Sequence, residues 1–292
     1  MINRRKFLAQ AGLVSAGVLI KPDFLNASIN SKQIGLQLYT LRNELPKDVK
    51  GVIAKVATAG YKEVETFGFD KKTGYWGLTS KEFSQLLKSH GLSTPSGHYG
   101  LDQFFGTGKT DDLKAYIEVA HDTGQSYITV PSLAEQFIKT AEDFKQVADK
   151  MNKAAAICKT EGLKLGYHNH NFEWKPVDGT TFYDTILKYT DPALVHMEMD
   201  IFWVVRAGQD PIEILNKHKG RYFAVHVKDR DKTNTNLNTE IGKGSIDFKK
   251  ILPVAKAAGV KHYIMEQENF INIDPYVSIA ESANYMKNSL PV

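Results

Sequence analysis

From residue 33 onward, short apolar runs alternate with longer stretches in which apolar positions recur every third or fourth residue. Runs of the first kind suit strands buried on both faces, and recurrences of the second kind suit helices with one apolar stripe. The runs predict strands at Ile34–Tyr39, Glu63–Phe67, Leu92–His98, Ser126–Val130, Leu163–His168, Val195–Asp200, Tyr222–Val227 and His262–Glu266. The intervening pattern predicts helices that include Asp48–Ala59, Lys81–His90, Asp111–Thr123, Ala141–Thr160 and Phe248–Ala258. Gly60, Gly91, Gly124, Gly162 and Gly259 follow helical runs, where a left-handed residue closes a helix. Strands recur roughly every 33 residues, the size of a βα unit. Eight such units predict an α/β fold, a (β/α)8 TIM barrel. An open doubly wound sheet fits less well, because no glycine-rich turn follows the first strand. No Pro- or Ser-rich linker divides the chain, so residues 28–292 read as a single barrel domain.

The first 27 residues carry a different pattern. Arg4-Arg5-Lys6-Phe7-Leu8 precedes an uncharged, mostly apolar stretch from Ala9 to Ile20, with small residues around Ala27. A basic start followed by a moderate apolar run is the layout of an export signal, and the paired arginines resemble the twin-arginine type. The run is too short for a membrane span, which needs about 20 residues. The expectation is a signal over residues 1–27 and a periplasmic or exported mature chain with no stable membrane anchor.

Charge and composition narrow the function. Of 292 residues, 37 are basic and 33 acidic, for a net +4. Arg4, Arg5, Lys6 and Lys21 against Asp23 put +3 of this before residue 28, which leaves +1 for the barrel. Nothing in that balance supports a nucleic-acid partner. Cys158 is the single cysteine, so no internal disulfide or cysteine-rich metal cluster forms, and its place in a helical run suits a buried apolar role. The expected partner is a small carbohydrate, and a homo-oligomer is compatible with the sequence.

The chemistry collects at one end. A parallel barrel strand is nearly all apolar, yet charged and imidazole groups gather at the C-terminal strand ends, where barrel active sites lie. They are Glu65, His98, His168 and His170, Asp200, His226 and Lys228, and Glu266 and Glu268. Buried charges are costly unless paired or metal-bound. Two carboxylates and two neutral imidazoles suit one divalent ion, Mn, Co, Fe, Ni or Zn, rather than Ca or Mg. Tyr75, Trp76, Phe104 and Phe105 lie in loops after strands, either as a sugar-stacking wall or as cover for the core.

Six segments carry a family resemblance: IGLQLYTLR at 34–42, GYKEVET at 60–66, YHNHNFEW at 167–174, MEMDIFWVVRAG at 197–208, HVKD at 226–229 and IMEQE at 264–268. Together they resemble the xylose-isomerase-like barrels, the sugar phosphate isomerase/epimerase and AP endonuclease 2 superfamily. Ketose 3-epimerases of that family hold a metal with Glu, Asp, His and Glu from strands five to eight. The resemblance maps Asp200, His226 and Glu266 onto the last three. Strand five has no acidic counterpart, and His168 takes the place, with His170 as the alternative. This departure bears on the epimerase mechanism, in which the strand-five and strand-eight glutamates also move protons.

The resemblance implies a metal-dependent isomerase or epimerase acting on a ketosugar or keto-glycoside through an enediolate. A lyase or hydratase on the same site is an alternative, and a non-catalytic periplasmic sugar- or metal-binding protein is another. His170, Lys228 and Glu173 are the candidates for proton transfer, although Lys228 has an ion pair with Asp229 or Asp200 as its alternative and Glu173 a plain loop position. Glu65, His98 and Trp203 are assigned to the substrate.

Overall fold

Inward-facing residues explain the architecture best. In the computed structural model, which describes residues 33–292, eight parallel strands alternate with helices. They are β1 Ile34–Gln37, β2 Glu63–Glu65, β3 Ser96–His98, β4 Tyr127–Val130, β5 Lys164–His168, β6 Val195–Asp200, β7 Tyr222–Val227 and β8 His262–Met265. Their order is β2-β1-β8-β7-β6-β5-β4-β3. The seam between β2 and β3 is closed by two isolated parallel bridges, Glu63 with Ser93 and Thr66 with Gly97. The result is the expected TIM barrel. The expected export signal over residues 1–27 lies outside the described residues. Among the described residues no helix is long and apolar enough to cross a membrane.

Eight principal helices cover the ring: α1 Val49–Ala59, α2 Ser80–Ser89, α3 Asp111–Thr123, α4 Ala141–Thr160, α5 Phe182–Tyr189, α6 Pro211–Lys217, α7 Phe248–Ala257 and α8 Pro275–Ser289. The five helix-closing glycines all have positive φ, between 66° at Gly91 and 100° at Gly259. Six of the eight strands are shorter than their apolar runs, and two of them are cut back by a local cause. Pro95 lacks the N–H that a ladder needs, so β3 starts at Ser96 rather than Leu92. After Gln37 the chain turns into a 3-10 helix, Leu38–Leu41, because the Gln37 side chain accepts from the Tyr39 N–H at 3.0 Å.

The larger core fills the space between sheet and helices, and a small one, Phe223, Ala224 and Ile264, sits inside the barrel. Phe223 stacks on Tyr127 with centroids 3.8 Å apart. A register shift at Met197/Glu198 opposite β7 accompanies this packing. A Cβ on Gly166 would lie 3.0 Å from the Phe223 ring, so glycine there makes room for the floor beneath the mouth. Tyr75 and Phe105 are fully buried and Phe104 nearly so. These three belong to the core and form no sugar wall. The Tyr75 hydroxyl is 2.9 Å from that of Tyr99 and 3.1 Å from Thr66 Oγ1, outside the ring of strands. Cys158 is buried, and burial pushes its thiol up to about 12.

Candidate metal and substrate site at the barrel mouth

Strand alternation directs Glu65, Ser96 with His98, Glu198 with Asp200, and His226 to the barrel interior. Register then aligns them, with Asp200 opposite His226 and His168 opposite Glu198. The outcome is two stacked polar groups that share His226. The upper group is His168, Asp200, His226 and Glu266, whose ligand-type atoms lie within 4.8 Å of one another. These are the four residues that sequence reasoning selected as metal ligands, with His168 rather than His170 from strand five.

The upper group fits a divalent ion on its own chemistry. Asp200 Oδ2 and His168 Nε2 are buried without a hydrogen-bond partner, 3.6 Å apart. Two nitrogens and two carboxylate oxygens suit a transition metal. Each imidazole is also oriented from behind. His168 turns Nδ1 to the Pro131 carbonyl at 3.2 Å, which leaves Nε2 facing Asp200. His226 turns Nε2 to Glu65 at 2.7 Å, which leaves Nδ1 beside Glu266 at 3.1 Å. Backing a ligating imidazole with a carboxylate or carbonyl fixes its tautomer. Asn169 holds β5 and β6 together through the Asp200 N–H (3.1 Å) and carbonyl (3.3 Å).

The lower group corrects one assignment. Glu65 is fully buried and accepts from Gln37 Nε2 (2.7 Å), Ser96 Oγ and His226, with His98 Nε2 at 3.2 Å. It lies beneath the mouth, supports His226 and is closed off from the cavity above. Glu198, which the sequence reading passed over, bonds His98 Nε2 at 2.8 Å. Its signal was present two residues before Asp200, on the same face of β6.

A cavity of about 430 Å³ opens above, lined by Tyr39, His98, Pro131, Ser132, His168, His170, Trp203, Glu266 and Glu268. Of the three proton-transfer candidates, His170 alone lines it. Glu173 is fully buried and accepts from the Tyr167 hydroxyl and, with both oxygens, from the His170 N–H at 2.9 and 3.0 Å. Its place is behind His170, where it positions the backbone. Burial pushes the Glu173 carboxyl up to about 7 against those hydrogen bonds. Lys228 is fully buried as well, bonded to Glu268 and 3.2 Å from Glu266 and 3.6 Å from Asp200, with Trp203 and Phe202 rings over its ammonium. Asp229 is not its partner, since that carboxylate accepts from the backbone N–H groups of Arg230, Gly242, Gly244 and Ile246. Glu268, and not Lys228, faces the cavity. Trp203 and His98 face it as expected, and the Trp203 indole Nε1 is buried with no partner.

Electrostatics sort these groups. Burial opposes charge on His226, yet Glu198, Glu266 and Glu65 hold its imidazole well above the ordinary value. Burial likewise opposes charge on His98, and Glu65 and Glu198 raise it to about 10. His168 and His170 are pushed by burial to about 3 and stay neutral. An ion taking His226 Nδ1 must therefore displace a proton. Divalent-ion affinity should strengthen as pH rises from 6 toward 8, with proton release seen by calorimetry in buffers of different ionisation enthalpy. Affinity independent of pH would show that His226 is not a ligand.

The sequence and fold have close counterparts. A model of xylose isomerase-like TIM barrels matches residues 53–289. An inosose dehydratase of Clostridium perfringens is 29% identical over 157 residues, 48% of this chain and 52% of that protein. The chain thus spans about half the length of that curated relative. A sugar phosphate isomerase/epimerase of Parabacteroides distasonis superposes with a TM-score of 0.80 at 29% identity, covering 90% of this chain and 96% of that one. A structure of the IOLI protein with a bound zinc atom shares the fold at a TM-score of 0.68 and 15% identity, covering 88% of this chain and all of that one. With a family match running from the first helix to the last and a barrel to go with it, this chain belongs to the xylose isomerase-like TIM barrel family.

Proposed function

We propose that the chain is a metal-dependent enzyme that removes the proton beside the ketone of a ketosugar or keto-glycoside and expels the oxygen substituent one carbon further on. The observation that carries this reading is the upper cluster. Four ligand-type side chains from the ends of β5 to β8 meet beneath a sugar-sized cavity, with Asp200 Oδ2 and His168 Nε2 left unpartnered. A divalent ion held there supplies Lewis-acid stabilisation of the negative charge that develops on the substrate's oxygen.

The chain's own residues divide the remaining work. His170 stands on the cavity wall and its Nδ1 has no protein partner, which makes it the residue placed to accept the carbon-bound proton. Glu268 faces the same cavity while bonded to the Lys228 ammonium, which gives a proton a path to the departing oxygen. His98 and the Trp203 N–H bind hydroxyls. Elimination is favoured over epimerisation because strand five offers the neutral His168 where a two-glutamate mechanism needs a second carboxylate. The inosose dehydratase relatives support the same choice. Isomerisation or epimerisation is the second reading, supported by the isomerase/epimerase structure that matches over 96% of its length.

The test is incubation of the metal-loaded protein with keto-glycosides and inosose in D2O. Elimination yields an ultraviolet-absorbing enone. His170→Ala should lose both the enone and deuterium exchange at the adjacent carbon, whereas Glu268→Gln should keep exchange and lose the enone. An epimer that keeps its oxygen substituent and carries one deuterium at the inverted carbon would favour the second reading. Sugar binding without exchange or product, under every metal tried, would overturn both in favour of a binding protein.

A further inference from the structure

Support for His226 needs only Glu65, yet the lower group places four metal-ligating side chains together. Glu65, His98, Glu198 and His226 come from β2, β3, β6 and β7, and their ligand-type atoms lie within 4.8 Å of one another. His226 Nε2 is 2.7 Å from Glu65 Oε2 and 3.3 Å from Glu198 Oε2. His98 Nε2 is 3.2 Å and 2.8 Å from the same two oxygens. Two nitrogens and two oxygens thus alternate around a quartet in which only the His98 side chain has any exposure, at 9%. Each ring nitrogen brings one N–H, so two hydrogens serve four contacts. Glu198 Oε1 is left buried with no hydrogen-bond partner at all, which is costly for a carboxylate.

We propose that the lower group is a second divalent-ion site, structural in role and suited to zinc, held by Glu65, His98, Glu198 and His226. Its spacing is close to what such an ion requires. Ligands about 2.0–2.1 Å from a tetrahedral zinc stand about 3.3 Å from one another, so a slight widening of the four contacts admits the ion. Two imidazoles and two carboxylates suit zinc, and four protein ligands close its coordination, which is the pattern of structural sites. Charge is conserved on filling: one divalent ion takes the place of the two N–H protons, which pass to solvent. The carboxylates are also held from outside the quartet. Gln37 Nε2 donates to Glu65 Oε2 at 2.7 Å and Ser96 Oγ donates to Glu65 Oε1, while the spare Glu198 Oε1 can join Oε2 on the ion. His226 belongs to both groups, Nδ1 to the upper and Nε2 to the lower, so with both filled its ring bridges two ions as an imidazolate. The lower ion would tie four strands of the barrel together directly beneath the mouth.

The experiment counts ions by native mass spectrometry, after the full chain is stripped with chelator, reloaded with excess zinc and freed of unbound metal. The wild type should carry two ions. Glu198→Gln removes a ligand of the lower group alone and should carry one. His98→Asn removes a different ligand of the same group, should give the same count, and keeps the test open if either variant misfolds. Asp200→Asn disables the upper cluster and should also keep one ion, whereas Asp200→Asn combined with Glu198→Gln should keep none. Full wild-type loading in both Glu198→Gln and His98→Asn would overturn the lower site, and so would complete loss of metal in Asp200→Asn. A wild type with a single ion, retained in Asp200→Asn but lost in Glu198→Gln and His98→Asn, would uphold the lower site and instead remove the upper cluster as the seat of the metal.

Discussion

If the upper cluster holds the proposed divalent ion, a Glu266→Gln chain should purify without it, and turnover should fall by about 1,000-fold, ~4 kcal/mol of lost transition-state stabilisation. Glutamine keeps the shape and can still face His226 and Lys228, so the barrel should remain folded. What disappears is one of the two carboxylate charges in the upper cluster, and with it much of the attraction for a cation. Glu65→Gln offers a graded comparison. Glu65 touches His226 at 2.7 Å from behind and lies beneath the mouth, so its loss should weaken metal affinity by about 10- to 100-fold. Metal content by mass spectrometry, together with circular dichroism for fold, separates the two. If Glu266→Gln retained a full ion and full turnover, the upper cluster would not be the seat of the chemistry.

Lys228→Met should act in the opposite sense on the ion. In the metal-free chain burial opposes the Lys228 charge, but Glu266, Asp200 and Glu268 hold the ammonium well above its ordinary value. Removing it strands three acidic groups around an uncharged side chain, a loss of about 3–5 kcal/mol for breaking one side of a buried charge network. For a chain of this size that is a fall of roughly 10 °C in Tm. The same excess of negative charge should draw a divalent ion more tightly, so saturating metal should recover much of the lost stability. Melting curves with chelator and with metal measure both effects. A variant equally stable in both states would show that Lys228 contributes no charge balance.

The fold was legible because its signals are local. β6 and β7 fall on the apolar runs residue for residue, and α3 and α4 match their periodic stretches, since burial on both faces and glycine closure are written in consecutive positions. The upper cluster was legible for a related reason, as strand ends in a barrel converge wherever they occur in the chain. The remainder depended on depth. Glu65 and His98 end neighbouring strands, yet His98 reaches the cavity and Glu65 stays below it, because the reach of a side chain from a tilted strand is set by register across the ring. Glu173 and Lys228 look like mouth residues in sequence, but Tyr167 and the His170 backbone claim the first, and the carboxylates beneath Trp203 claim the second. The Lys228 partners lie across the fold, while those of Glu173 are three and six residues away and meet it only once the chain turns after β5.

The shared imidazole of His226 has an implication for how such a protein changes over generations. Its Nδ1 belongs to the upper cluster and its Nε2 to Glu65, and Glu65 is tied in turn to β1 through Gln37 and to β3 through Ser96. The ion's seat is thus anchored to opposite walls of the barrel by strand residues. The rim loops after β4 and β5 contribute little to it beyond the Pro131 carbonyl. Those loops can be lengthened, exchanged or rewritten while the chemistry below is inherited intact. Transplanting a relative's rim onto these strands should alter which sugar is admitted before it alters what is done to it.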